Sequence, residues 1–143
     1  MRVMVFAPAT KDSEAGKLPT QEGLTQMMKF NEELVKAGVL LDGAGLLPTS
    51  KAKRVRFSGT QRTVIDGPFA ESKELIAGYS IWEVKSIEEA VEWVKRAPFD
   101  GGADVEVTIR PLFTPDDFGD AATPELRARG ERLRAESAQL KKL

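Results

Sequence analysis

The chain has 143 residues, 41% of them hydrophobic, and its 21 basic and 22 acidic residues leave a net charge of −1. This size and composition predict one main globular domain whose core needs neither disulfides nor metal. The absence of cysteine excludes disulfides, thiol catalysis and zinc–thiolate sites. The absence of histidine removes the commonest general base and the commonest ligand of transition metals and haem.

Charge and hydropathy also limit the partners. Because no strong positive field is present, binding of nucleic acid through its phosphates is disfavoured. No apolar run approaches a membrane span, and the short apolar start does not resemble a signal peptide. We therefore expect a cytoplasmic protein that binds neither nucleic acid nor membrane, and that uses no cofactor and no metal.

The first half of the chain predicts a strand, a helix and a second strand. Arg2–Ala7 is apolar on both faces, which is typical of a central strand. After a polar loop, Thr20 caps a helix that runs to about Ala37. Val39–Leu47 is interpreted as a strand with a bend near Gly43 or Gly45, although Gly45 could instead let a ligand approach the backbone.

A hairpin follows, and then a second strand–helix–strand series. Ala52–Phe57 and Gln61–Asp66 predict the hairpin. Leu75–Lys85 is apolar on both faces and predicts a covered strand. Ser86 opens a helix through a capping box with Glu89. Asp104–Phe113 alternates between polar and apolar residues, as an edge or half-covered strand does.

The end of the chain differs in composition. Thr114–Ala122 is interpreted as a polar linker, and Thr123 caps a charged helix with Pro124 at its first position. Its leucines recur every seven residues, at Leu126, Leu133 and Leu140, which is too narrow a stripe for a convincing coiled coil. We divide the chain into a domain at 1–118 and a C-terminal helical extension at 119–143.

The order of the elements predicts an α+β fold. Strand, helix, strand, hairpin, strand, helix, strand matches the ferredoxin-like βαββαβ arrangement with an inserted β-hairpin. Two helices cover one face of such a sheet, yet the first and fifth strands are apolar on both faces. A second copy of the chain would cover the other face, so we predict a homodimer.

The stretch V-I-D-G-P-F-A-E-S-K-E, at 64–74, carries the main functional hypothesis. Pro68 has no N–H, so Asp66-Gly67 cannot close an ordinary hairpin turn, and a rigid corner is predicted. Asp66 has two interpretations. It either accepts hydrogen bonds from the following backbone amides as a turn cap, or it is a buried catalytic carboxylate facing a pocket between two sheets.

Ligand-binding residues are predicted around that pocket. Lys73 and Glu74 follow the corner, and Tyr79 lies on the central strand as a hydrogen-bond donor or as a packed ring. Glu106 and Arg110 share one face of the last strand, which either lines the pocket or faces solvent. A cation from Lys73 or Arg110 would lower the pKa of a nearby carboxyl group.

With these pieces in place the chain resembles the YCII-related family, specifically its DGPF branch. The matching stretches are 37–48, 64–74, 76–84 and 105–111, and the resemblance covers about residues 1–115. It implies a dimeric α/β-barrel built from ferredoxin-like subunits. It implies little about activity, because most members have no established function. Some are encoded beside extracytoplasmic-function sigma factors and are suspected regulatory partners.

The resemblance also implies a departure at the site. The broader family has a His-Asp pair to which catalysis is ascribed, and this chain has no histidine. Asp66 would then act as a lone carboxylate, and haem binding through histidine is not expected. Two functions follow as hypotheses: a small-molecule-binding dimer with cofactor-independent acid–base chemistry, or a regulatory protein-interaction module that uses the C-terminal helix.

Overall fold

The computed structural model describes residues 1–70, 74–99 and 104–141. The chain divides into two compact units, Met1–Pro111 and Leu112–Leu143. The elements of the first unit are β1 (Arg2–Pro8), α1 (Lys11–Glu14), α2 (Gln21–Lys36), β2 (Leu40–Gly45), β3 (Lys53–Ser58), β4 (Gln61–Asp66), β5 (Ile76–Glu83), α3 (Ile87–Lys95) and β6 (Thr108–Pro111).

In the described part of the chain, β2, β5, β1 and β6 form one sheet in that order, and all neighbouring strands are antiparallel. Without the separate β3–β4 hairpin, the strands follow the ferredoxin-like order, with each helix connecting two parallel strands across a third. The predicted α+β fold with an inserted hairpin is therefore confirmed.

One face of the sheet forms the hydrophobic core with α2 and α3. Val3, Val5 and Trp82 point toward the helices and are at most 6% exposed. Leu34 of α2 and Ala90 of α3 complete this core. Each buried aliphatic side chain contributes roughly 1.5–3 kcal/mol by leaving water, so these residues fix the helices on this face.

The helices begin where their capping residues predict. Thr20 Oγ1 accepts the Gly23 N–H at 3.0 Å, and α2 ends at Lys36 before Gly38, whose φ is 73°. Ser86 Oγ accepts the Glu89 N–H at 3.2 Å. These bonds satisfy donors that the first turn of a helix leaves without partners.

The opposite side of the sheet, here called the open face, carries two rows of side chains. The strand register aligns Asp42, Ile81, Met4 and Arg110 in one row and Ala44, Tyr79, Phe6 and Thr108 in the next. In the single chain, the four large apolar side chains of these rows are only half-buried. The open face therefore has an apolar middle with an acidic residue on one edge and a basic residue on the other.

Several details differ from the predictions. β6 begins at Thr108 rather than Asp104; its pairing with β1 ends at Phe6 opposite Thr108, two residues before Pro8, which has no N–H. The irregularity in β2 falls between Leu40 and Asp42, before the glycines. The polar loop after β1 contains the short helix α1.

The second unit consists of a 3-10 turn at Pro115–Ala121 and the helix α4 at Pro124–Leu140. Thr123 Oγ1 accepts the Leu126 N–H at 3.2 Å, which confirms the predicted cap. The rings of Phe113 and Phe118 stack with their centroids 4.9 Å apart. The predicted extension, 119–143, lies within this unit. No helix in 1–70, 74–99 or 104–141 is long and apolar enough to cross a membrane.

Acidification should loosen the turn of the second unit. The Thr114 backbone N–H and then its hydroxyl, at 2.7 and 2.9 Å, lower the pKa of Asp117 below its ordinary value of 3.8. Because the folded pKa is the lower one, this stabilisation is present above the ordinary pKa and is lost as the pH falls through the lowered pKa. NMR titration of the Asp117 carboxyl carbon should show this shift. Thr114→Val should return the pKa part of the way, and an unchanged pKa in that variant would contradict the assignment.

Candidate ligand-binding site

A cavity of about 670 Å³, here called the charged cavity, lies in the first unit where β1, β5 and the approach to β6 meet. Its apolar walls come from Phe6, Pro8, Leu75, Ile76 and Val105. Its charged walls come from Lys11, Glu74, Asp104, Glu106 and Arg110. An apolar cleft with a few converging polar groups is the usual form of a small-molecule site.

The charges of this cavity are not neutralised by ion pairs with described residues. None of its two cations and three carboxylates is among the ion-paired side chains of 1–70, 74–99 and 104–141. Elsewhere the chain does form such pairs, as between Lys95 and Glu92 at 2.9 Å. The cavity can therefore offer cationic and anionic groups to one ligand.

The structure brings together three of the predicted ligand-binding residues. Glu74, Glu106 and Arg110 line the same cavity although they are distant in sequence. Tyr79 is directly opposite Phe6 on the open face, one strand away from the wall of the cavity. Lys73 lies outside the described residues. Lys11 was not predicted, since it lay in what the sequence presents as an ordinary polar loop.

Asp66 is placed differently from its catalytic interpretation. Its side chain is 73% exposed in the single chain, and Oδ1 accepts a hydrogen bond from Lys53 Nζ at 2.6 Å. It does not line the charged cavity. Asp66 is thus neither buried, as its catalytic interpretation required, nor bonded to the following backbone amides, as its turn-cap interpretation required. Its partner is the residue opposite it in the β3–β4 hairpin.

The corner after Asp66 is held by the turn at 49–52. The Gly67 N–H donates to the Ala52 carbonyl at 2.9 Å, and the Phe69 N–H donates to Thr49 Oγ1 at 3.0 Å. The Thr49 hydroxyl in turn donates to the carboxylate of Glu14, which also accepts the Thr49 N–H at 3.2 Å. The Gly67-Pro68 peptide bond is cis.

Glu14 and Thr49 were missed by sequence reasoning. They are 35 residues apart, and neither belongs to a periodic pattern or a recognisable motif. The guanidinium of Arg54 lies 3.7 Å from the centre of the Phe69 ring and covers the corner from the hairpin side. The stretch at 64–70 therefore acts as a docked connector in the single chain.

A metal site is not formed by the described residues. Within 1–70, 74–99 and 104–141 no three carboxylates are grouped closely enough to hold an ion. The ionisable groups that the charged cavity itself contributes are three carboxylates, a lysine and an arginine.

Comparisons with known proteins place these features in context. The model of the YCII-related domain matches residues 1–112. The uncharacterized protein R00369 of Rhizobium meliloti (strain 1021) is 27% identical over 110 residues, which is 77% of this chain and 89% of that protein. A structure of 5-chloro-2-hydroxyhydroquinone dehydrochlorinase (TftG) from Burkholderia phenoliruptrix AC1100, in complex with 2,5-dihydroxybenzoquinone, is 16% identical. It aligns with a TM-score of 0.47 over 79% of this chain and 94% of its own. The family match spans the first unit, including the cavity and the corner.

Proposed function

Since this chain belongs to the YCII-related family, we propose that it acts as a homodimer that binds a small molecule in the charged cavity. The observation that carries this proposal is the convergence of Arg110, Glu106 and Glu74 on one cleft with an apolar wall. These residues are exposed and have no ion-pair partner among the described side chains, so their charges are accessible to a ligand.

The open face supports the dimer. Met4, Phe6, Tyr79 and Ile81 remain half-buried on a face that the core helices do not cover. A monomer rarely leaves a continuous apolar sheet face to solvent. In a two-fold dimer with facing sheets, the same patch covers itself. The charged cavity, which shares Phe6 with this face, would then lie beside the interface and be closed further by the partner.

The charges of the cavity suggest the chemistry. Arg110 can bind a carboxylate or phosphate with two parallel hydrogen bonds, and Lys11 adds a second cation. Glu106 or Glu74 can accept a proton from a ligand held by those cations. The proposed activity is acid–base chemistry without a cofactor on a small anionic molecule with an apolar part. The catalytic role of Asp66 stays a prediction.

Native mass spectrometry of the protein purified from its own source tests this proposal. We expect a species of twice the 15.7 kDa chain mass that retains a small molecule. Arg110→Gln should lower the affinity for that molecule about tenfold or more, since a charged hydrogen bond contributes roughly 1.5–3 kcal/mol. Arg56→Gln, on the exposed hairpin, is the matched control and should retain it. A monomer, or equal retention by the two variants, would contradict the proposal.

A second candidate function is a regulatory interaction module. The observation that favours it is the exposed leucine stripe of α4, where Leu126, Leu133 and Leu140 are 51%, 61% and 69% exposed. The partner class would be the sigma factors that the family resemblance implies. The same preparation discriminates the candidates: a ligand-free dimer that carries a sigma factor supports this one, and a ligand-loaded dimer without a protein partner supports the first.

A further inference from the structure

A second cavity, of about 580 Å³, lies on the helix side of the sheet, between α2 and the edge formed by β2 and β5. It shares no lining residue with the charged cavity. Its volume falls within the range of about 300–1,000 Å³ that is typical of small-molecule sites. This cavity is therefore a separate candidate for a binding site.

The floor of this cavity is bare backbone. We call Gly43, Gly45 and Gly78 the glycine shelf; the register pairs Gly45 with Gly78, and Gly78 in turn with Ala7. A Cβ on Gly45 would meet no atom within 4 Å, so the space above this glycine is open. A Cβ on Gly43 or Gly78 would instead lie 3.1 or 3.0 Å from a backbone carbonyl oxygen of the neighbouring strand. In the sequence Gly43 and Gly45 suggested a bend, and Gly45 suggested a close ligand approach as the alternative. Because the irregularity of β2 lies before Gly43 and Gly45, the interpretation that a ligand approaches the backbone at Gly45 gains support.

The roof is aromatic and aliphatic. Phe30 and Met27 of α2 face the shelf, and Val94 and Ala97 close the end near α3. The ring of Phe30 makes edge contacts with Trp82 and Trp93, each with centroids 6.4 Å apart. These contacts hold Phe30 in place, so the gap between roof and shelf, here called the slot, has one rigid aromatic wall.

The polar side chains that line the slot are few, namely Asn31, Asp42, Tyr79 and Ser80, and of these Asp42 is the charged one. Asn31 and Ser80 are among its walls, and neither side chain has a hydrogen bond to another described residue. No described lining residue is cationic. The one acidic residue, Asp42, pairs in register with Ile81 of the open face, and its Oδ1 accepts the Gly43 N–H at 2.9 Å. An anionic ligand would find no opposite charge among the described lining residues, and burying it unpaired is costly.

We propose that this slot is a second binding site, for an uncharged and mainly apolar molecule with a flat ring system and one hydrogen-bonding group. The ring lies on the glycine shelf beneath Phe30. The polar group bonds to the side chain of Asn31. This site differs from the charged cavity in both location and ligand chemistry, so the result of testing one site does not decide the other.

Fluorescence of the neutral probe N-phenyl-1-naphthylamine with the full chain tests this inference. Both tryptophans of the chain, Trp82 and Trp93, contact Phe30 at the roof, so excitation energy should pass from them to a bound probe in a saturable way. Gly45→Leu places a side chain over the shelf and should weaken binding by about tenfold or more. Gly130→Leu in α4, where a Cβ meets only the Arg134 guanidinium at 3.6 Å, is the matched control and should bind as the wild type does.

A second variant keeps the test decisive if Gly45→Leu does not fold. Asn31→Leu keeps the side-chain size and removes the hydrogen bond to the probe N–H, so affinity should fall about threefold to tenfold. Non-saturable fluorescence in the wild type overturns the proposal. If both variants fold and both bind the probe with wild-type affinity, the proposal is overturned as well. If Gly45→Leu is unfolded, wild-type affinity in Asn31→Leu alone overturns it.

Discussion

Replacing Gly67 with alanine should destabilise the first unit by about 3 kcal/mol, the upper part of the usual range for an inserted methyl group in a filled space. A Cβ at this position would lie 1.7 Å from the Thr49 carbonyl oxygen and 2.7 Å from its carbonyl carbon. Both obstacles are backbone atoms, so no side-chain rotation relieves the clash. The corner must move away from the 49–52 turn.

That movement would break several bonds together. The Gly67 N–H loses the Ala52 carbonyl, and the Phe69 N–H loses the Thr49 hydroxyl. Thr49 would then keep its hydrogen bond to Glu14 but would no longer bond to the corner. Interactions that share partners do not add independently, so the loss should be larger than that of one hydrogen bond, about 1 kcal/mol.

Urea unfolding followed by tryptophan fluorescence measures this effect, because both tryptophans lie in the first unit. Amide hydrogen exchange at Phe69 detects a corner that opens without global unfolding. Gly45→Ala is the control: its Cβ meets nothing within 4 Å, and stability should be unchanged or rise by up to about 1 kcal/mol. Gly67→Ala with an unchanged urea midpoint and unchanged Phe69 protection would show that the corner is not held as described.

The sequence predicted best what depends on local chemistry. The cap at Thr20, the stop at Gly38 and the 61–66 strand all follow from one residue and its near neighbours, and the structure agrees. The fold followed because strand–helix alternation leaves few topologies that avoid crossed connections. Apolar residues on both faces of β1 and β5 marked them as the central strands, and the sheet order confirms this.

The sequence predicted less where distant residues meet. Glu74, Glu106 and Arg110 were named as ligand residues, but Lys11 of α1 was not, because a four-residue helix leaves no periodic signal. The hydrogen-bonded pair of Glu14 and Thr49 was missed for the same reason. The motif alone left Asp66 with two interpretations, a turn cap and a buried catalytic carboxylate, and neither included an exposed ion pair. The hairpin that carries it projects as a separate two-stranded sheet, so its carboxylate is exposed and pairs with Lys53.

Leu34→Ala should lower the free energy of unfolding of the first unit by about 2–5 kcal/mol, as buried leucine truncations generally do. Leu34 is 1% exposed and lies in the core with Val3, Trp82 and Ala90. Alanine is the best helix former, so α2 itself gains slightly. The loss therefore comes from the apolar burial that is removed and from the cavity left between the helix and the sheet.

Leu24→Ala makes the same chemical change on the same helix, where the side chain is 46% exposed, and should cost less than about 1 kcal/mol. Urea titration of both variants compares the two midpoints at equal slope. Similar losses would mean that α2 does not pack on the sheet through Leu34. A difference of a few kcal/mol would show that this face is the closed core. The remaining apolar surface of the central strands would then lie on the open face, where the proposed partner subunit would cover it.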